Sequence, residues 1–157
     1  MTLPIKEIVL APGEGDRLTI GNSEVTFKAV GSDTDGHVGI FENLIQPGGT
    51  APGPHIHRHI EEMFYVLEGE VEILVGERKV QGQPGAFVLV PRGTPHAFAN
   101  LGTTPAKLLI MFSPGGEREK YFQGLAELIK DGQKPKKEDL LDLMRRFDQE
   151  PVEIEEK

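Results

Sequence analysis

Short apolar runs alternate with polar positions through most of the chain, and the period lengthens only near the end. Runs at 18–20, 25–30, 38–45, 63–67, 71–75, 87–90, 96–99 and 107–112 predict strands. Turn signals separate them: Gly21-Asn22-Ser23, Gln46-Pro47-Gly48-Gly49, Glu68-Gly69-Glu70, Gly82-Gln83-Pro84-Gly85 and Pro91-Arg92-Gly93-Thr94. Many short strands at regular spacing predict an all-β sandwich or barrel. Towards the end, Phe122, Leu125, Leu128 and Ile129 share one helical face, and Leu140, Leu143, Met144 and Phe147 share another. Helices are expected over 117–131 and 137–148, broken at Gly132-Gln133-Lys134-Pro135 and covering an edge or mouth of the barrel. The expected organisation is a β-barrel domain over 1–115 and a helical extension over 116–157 that packs on it.

Composition narrows the function classes. A length of 157 residues allows one domain with a real core. A net charge of −8 argues against nucleic acid and anionic membranes as partners. No apolar run approaches a bilayer span and no signal peptide is read, so a cytoplasmic location is expected. There is no cysteine, so any metal must be held by histidine and carboxylate.

Those residue types occur in two spaced patterns. The first is Gly49-x5-His55-x-His57-x4-Glu62-x6-Gly69, and the second is Gly85-x5-Pro91-x-Gly93-x2-His96-x3-Asn100. Three imidazoles and one carboxylate form a ligand set for a divalent first-row metal: Mn, Fe, Co, Ni, Cu or Zn. His55 and His57 lie two residues apart and share a strand face. Glu62 follows His57 by an odd step, so a bend, bulge or short loop over 58–61 must re-aim it. On a straight strand His59 would share the face of His55 and His57 and compete with Glu62. Its other reading is a solvent-facing rim residue. Asn100 is expected to support a turn. Asp33, Asp35 and Gly36 lack the remaining ligands of a calcium loop and read as an exposed turn.

Both patterns resemble the two motifs of the cupin superfamily at every fixed position, over residues 49–100. The resemblance implies a double-stranded β-helix, or jelly roll, with the metal inside the barrel. It places the ligand role on His55, His57, Glu62 and His96, selecting Glu62 over His59. The stretch from Pro54 to Gly69, the strand at 107–112 and the helical tail are similar to small single-domain cupins related to flavonol (quercetin) 2,3-dioxygenase. That similarity implies dioxygen-dependent ring cleavage of a flavonol-like enol, with Glu62 as catalytic base as well as ligand. The expected partners are therefore a small-molecule substrate and dioxygen.

Alternation from Glu62 brings Phe64 and Val66 to the ligand face, and alternation from His96 brings Phe98. With Phe41, these are the candidate substrate-pocket wall. Ile45, Met111 and Phe112 are further candidates, and Arg58 and Arg92 are candidates for the mouth. Two other classes compete with a dioxygenase. One is a non-redox isomerase, cyclase or lyase that uses the metal as a Lewis acid. The other is a non-catalytic small-molecule binder. The apolar segment 3–10 is a candidate arm for a homodimer, an expectation taken from the habit of cupin-like barrels.

Overall fold

The computed structural model describes residues 5–49 and 52–154. Among the described residues, eleven strands and two α-helices run in the order β1 Asp16–Ile20, β2 Ser23–Ala29, β3 Gly39–Ile45, β4 His55–Ile56, β5 Glu61–Glu68, β6 Val71–Val75, β7 Arg78–Gly82, β8 Phe87–Val90, β9 His96–Ala99, β10 Ala106–Ser113, α1 Arg118–Leu128, α2 Lys137–Arg146 and β11 Glu150–Pro151. The strands form two antiparallel sheets. One has the order β1-β2-β3-β10-β5-β8 and the other β11-β4-β9-β6-β7. This is the jelly-roll arrangement with two C-terminal helices.

Strict alternation builds the interior. In β3 and β10 every second residue is buried, and the two strands pair so that Phe41 faces Ile110 and Ile45 faces Ala106. Phe41, Phe64, Val66, Ile73, Leu108 and Phe112 are at most 1% exposed. Burying each large side chain contributes about 1.5–3 kcal/mol.

Three strands, β7 and the two-residue β4 and β11, escape the alternation signal. In β7, Val80 is the single large apolar residue, and the strand sits at a sheet edge where both faces can be polar. β11 has two residues, too few to show a period. It pairs antiparallel with β4, Glu150 opposite Ile56 and Pro151 opposite His55.

The tail is therefore not purely helical. α2 ends at Arg146, and Asp148 then takes the left-handed conformation at φ 53°, while Gln149 N–H bonds to Met144 O at 3.0 Å. This C-terminal capping geometry reverses the chain and feeds it back to the barrel. α1 starts where the backbone passes close to an earlier loop. A Cβ on Gly115 would lie 2.3 Å from the Val38 carbonyl carbon, so glycine is needed there. Phe122 of α1 then packs edge-on to Phe41 with ring centroids 4.9 Å apart.

Residues 5–10 form no regular element, and Ile5 and Val9 are 62% and 88% exposed. The first two residues of the expected arm, Leu3 and Pro4, lie outside the described residues. Among the described residues, no helix is long and apolar enough to cross a membrane.

Candidate metal centre

His55 lies in β4, His57 one residue beyond it, Glu62 in β5 and His96 at the start of β9. β4 and β9 belong to one sheet and β5 to the other. The loop between His57 and Glu61 carries the chain across, which resets the odd step in the sequence and turns Glu62 inward from the opposite wall. His55 and His96 face each other across the β4–β9 ladder, with ring centroids 4.3 Å apart. All four side chains are buried, and one donor atom from each lies within 4.8 Å of the others.

Hydrogen bonds from the outer nitrogens set the direction of each ring. His55 Nδ1 donates to Gly53 O at 2.8 Å, His57 Nδ1 to Asp148 O at 2.6 Å and His96 Nδ1 to Thr94 O at 2.9 Å. A neutral imidazole that donates from Nδ1 carries its lone pair on Nε2. Two of those Nε2 atoms lie 3.0 Å (His57) and 2.7 Å (His96) from Glu62 Oε2. Lone pairs facing an acceptor-only carboxylate repel unless a positive charge sits between or upon them. A cation with bonds of about 2.0–2.2 Å to nitrogen and oxygen places neighbouring donors about 3 Å apart, which the observed spacing matches. The donor set fits a divalent metal held inside the barrel.

The site's charges follow from burial and proximity. Burial opposes ionisation of Glu62, but the adjoining imidazoles of His57 and His96, when they carry a proton on Nε2, outweigh it and hold the carboxyl well below the usual carboxylate range. Burial also opposes charge on His96, yet the Glu62 hydrogen bond and charge outweigh it and raise its pKa. For His55, burial dominates, followed by the charge of His96, and its pKa falls to about 3. Protons compete with metal for the same Nε2 lone pairs. Metal retention therefore falls as pH falls. A chelator competition series from about pH 8 to about pH 4 should show rising release on acidification. Retention that stays flat below about pH 5 would contradict this account.

Residues 42–112 match the family model of the cupin domain. The chain is 34% identical over 119 residues to quercetin 2,3-dioxygenase of Bacillus subtilis (strain 168), covering 76% of this chain and 34% of that protein. The chain belongs to the cupin superfamily. It is also 35% identical over 75 residues to Nectarin-1 of Nicotiana langsdorffii x Nicotiana sanderae, covering 43% of this chain and 31% of that one. This cupin thus spans about a third of the length of either curated relative. Among solved structures, an RmlC-like cupin from Shewanella frigidimarina NCIMB 400 superposes with a TM-score of 0.61 at 20% identity, over 74% of this chain and 96% of that one. That likeness concerns the fold.

A cavity of about 60 Å³ reaches two of the four donors, His55 and Glu62, with Phe98, Ile110, Phe112 and Tyr121 also in its wall. Of the four pocket candidates from the sequence, Phe98 lines this space. Phe41, Phe64 and Val66 do not line it; they are fully buried packing residues. Alternation places a side chain inside the barrel, but an interior position is core wherever other side chains fill the space. Of the further candidates, Phe112 lines the cavity and Ile45 and Met111 do not. A larger groove of about 1480 Å³ opens between Leu74, Lys79, Ala97 and Ile154 on the outer face of the β4–β9 sheet, and none of the four donors lines it.

His59 stands apart from the cluster. Its ring is exposed, and its backbone N–H donates to Asp148 Oδ2 at 2.8 Å. Arg58 pairs with Glu150, and Arg92 with Glu61 at 3.1 Å, both at the surface. Asn100 supports its turn: Nδ2 donates to Ile45 O and Thr104 O, and Oδ1 accepts from Gly102 N–H.

Four residues of the tail reach the site without having been singled out in the sequence. Asp148 holds His57 through its carbonyl and both neighbouring backbone N–H groups through its carboxylate. Arg118, Tyr121 and Gln149 line the cavity. For Arg118 a signal existed. It stands four residues before Phe122 and seven before Leu125, so it is a charge on the apolar face of α1.

Proposed function

We propose that this cupin is a metal-dependent dioxygenase acting on a compact, enolisable small molecule. The observation that carries the reading is the gathering of three imidazoles and one ionised carboxylate, with donor atoms within 4.8 Å of one another, beside a small, largely apolar cavity. A bound divalent transition metal supplies Lewis acidity towards a substrate oxygen and, if redox-active, reach to dioxygen. Four protein donors leave room for further ligands around an octahedral ion. The 34% identity to a quercetin 2,3-dioxygenase supports an oxygen-dependent reaction.

The chain's own residues have separate tasks in this reading. His55, His57 and His96 present their Nε2 atoms, with the Nδ1 hydrogen bonds holding each ring in place. Both imidazoles that face Glu62 approach its Oε2, which makes that oxygen the metal-side donor. Its Oε1 takes the proton from the substrate hydroxyl, which makes Glu62 base as well as ligand. Phe98, Ile110 and Phe112 exclude water from the enol. A volume of about 60 Å³ favours a compact substrate over a flavonol, since drug-sized ligands occupy about 300–1,000 Å³.

The test is oxygen uptake by protein loaded in turn with Mn, Fe, Co and Ni, screened against flavonols and compact enols. Glu62→Gln should lower turnover by about 10²–10⁴-fold, with metal content measured in parallel. Full turnover in a metal-replete Glu62→Gln protein would remove the base assignment. Product formed without oxygen consumption would instead assign the site to a non-redox isomerase, cyclase or lyase. Ligand binding without conversion would make it a binding protein.

A further inference from the structure

The cavity wall contains polar groups that nothing in the protein satisfies. Among the described residues, four buried side-chain nitrogen or oxygen atoms have no hydrogen-bond partner, and three of them, Ser23 Oγ, Asn43 Oδ1 and Arg118 Nε, belong to residues lining the cavity beside His55 and Glu62. The three residues are 6%, 8% and 4% exposed. Buried polar groups are almost always paired, because leaving one unpaired costs its full desolvation. Three in one small wall therefore point to an occupant that pairs with them.

Arg118 adds a charge. Nη1 donates to Phe147 O at 2.9 Å and Nη2 donates to Gln149 Oε1. Its Cζ lies 4.2 Å from the Tyr121 ring centroid and 4.9 Å from that of Phe112. Carbonyl, amide and ring faces hold the cation without neutralising it, and among the described residues no carboxylate pairs with it. Five N–H donors on a guanidinium leave capacity after those two bonds. With a dipositive metal, one carboxylate and one guanidinium, the interior carries excess positive charge that an anion would balance.

Position refines the chemistry. Ser23 opens β2, and Asn43 lies on the paired strand β3, opposite Val25. A hydroxyl and an amide on neighbouring strands suit a ligand hydroxyl that both donates and accepts, while the guanidinium suits a carboxylate.

We propose that Arg118, Ser23 and Asn43 form an anchoring subsite for a compact hydroxy- or keto-carboxylate in its enol form. The carboxylate pairs with Arg118 and a hydroxyl pairs with Ser23 and Asn43, leaving the reacting end towards Glu62 and the imidazoles. This substrate class rests on the reading of the four donors as a catalytic metal centre.

The experiment is isothermal titration of glycolate, and of its neutral counterpart glycolamide, into zinc-loaded and metal-free protein. Glycolate should bind both forms, with glycolamide at least about tenfold weaker, as expected for a charge-assisted contact. Arg118→Met should lower glycolate affinity at least about tenfold while zinc content stays unchanged. Ser23→Ala should weaken binding and raise the melting temperature, because it removes an unpaired buried hydroxyl. Arg118 also holds Phe147 and Gln149, so if Arg118→Met does not fold, Ser23→Ala decides by its affinity. Glycolate binding that ignores both substitutions, or that occurs only with zinc present, would overturn the subsite and assign the orphan atoms to water. Failure of the metal reading shows separately, as absence of zinc by elemental analysis, and leaves the metal-free titration as an independent measure.

Discussion

Replacing His96 with alanine is expected to abolish metal retention. His96 is fully buried, stands opposite His55 across the β4–β9 ladder, and brings Nε2 to 2.7 Å from Glu62 Oε2. Loss of a partner one shell beyond a metal ligand costs about 10–100-fold in affinity, so loss of a ligand itself should cost at least about 100-fold. The substitution also removes one of the two imidazoles whose proximity holds Glu62 ionised, so its carboxyl becomes easier to protonate and a poorer donor. Elemental analysis after dialysis against a weak chelator should find the wild-type chain occupied and the variant empty. His59→Ala is the control: that ring is exposed and outside the cluster, so occupancy should not change. A His96→Ala protein with wild-type metal content would show that these four side chains are not the centre.

The largest stability loss is expected from Phe41→Ala. Phe41 is fully buried and edge-on to three rings: Phe27 at 5.3 Å, Phe112 at 5.8 Å and Phe122 at 4.9 Å between centroids. It thus joins β2, β3 and β10 to α1. Removing a buried phenyl costs its transfer free energy plus that of the cavity left behind, about 3–5 kcal/mol. For a chain of this size that lowers the melting temperature by roughly 6–20 °C. Denaturant unfolding should show a lower midpoint with an unchanged slope. Leu101→Ala, at a side chain that is 72% exposed, should stay within about 0.5 kcal/mol of wild type. A loss below about 1 kcal/mol at Phe41 would mean that the site collapses around the truncated side chain, against the ring packing observed.

Phe41 also shows where reading a sequence stops. Alternation placed it inside the barrel, and it is inside; whether an interior ring meets ligand or other rings depends on what the opposing sheet and α1 contribute. The same holds for Phe64 and Val66, which share the face of Glu62 yet pack in the core. Phe98 follows the same rule of alternation and does reach the cavity.

The sequence alone determined the β architecture and the two helices, because these rest on local rules, a period of two and a period of three to four; the choice of Glu62 over His59 as fourth donor came from the resemblance to the cupin motifs. The tertiary structure alone decided that the chain returns after α2, so that Asp148 accepts a hydrogen bond from His57 and Gln149 meets Arg118 in the cavity wall. Those contacts join residues 91 apart for Asp148 and His57, and 31 apart for Arg118 and Gln149. No short-range pattern encodes such pairings. They arise when apolar helix faces bury themselves against the barrel and carry their polar neighbours in with them.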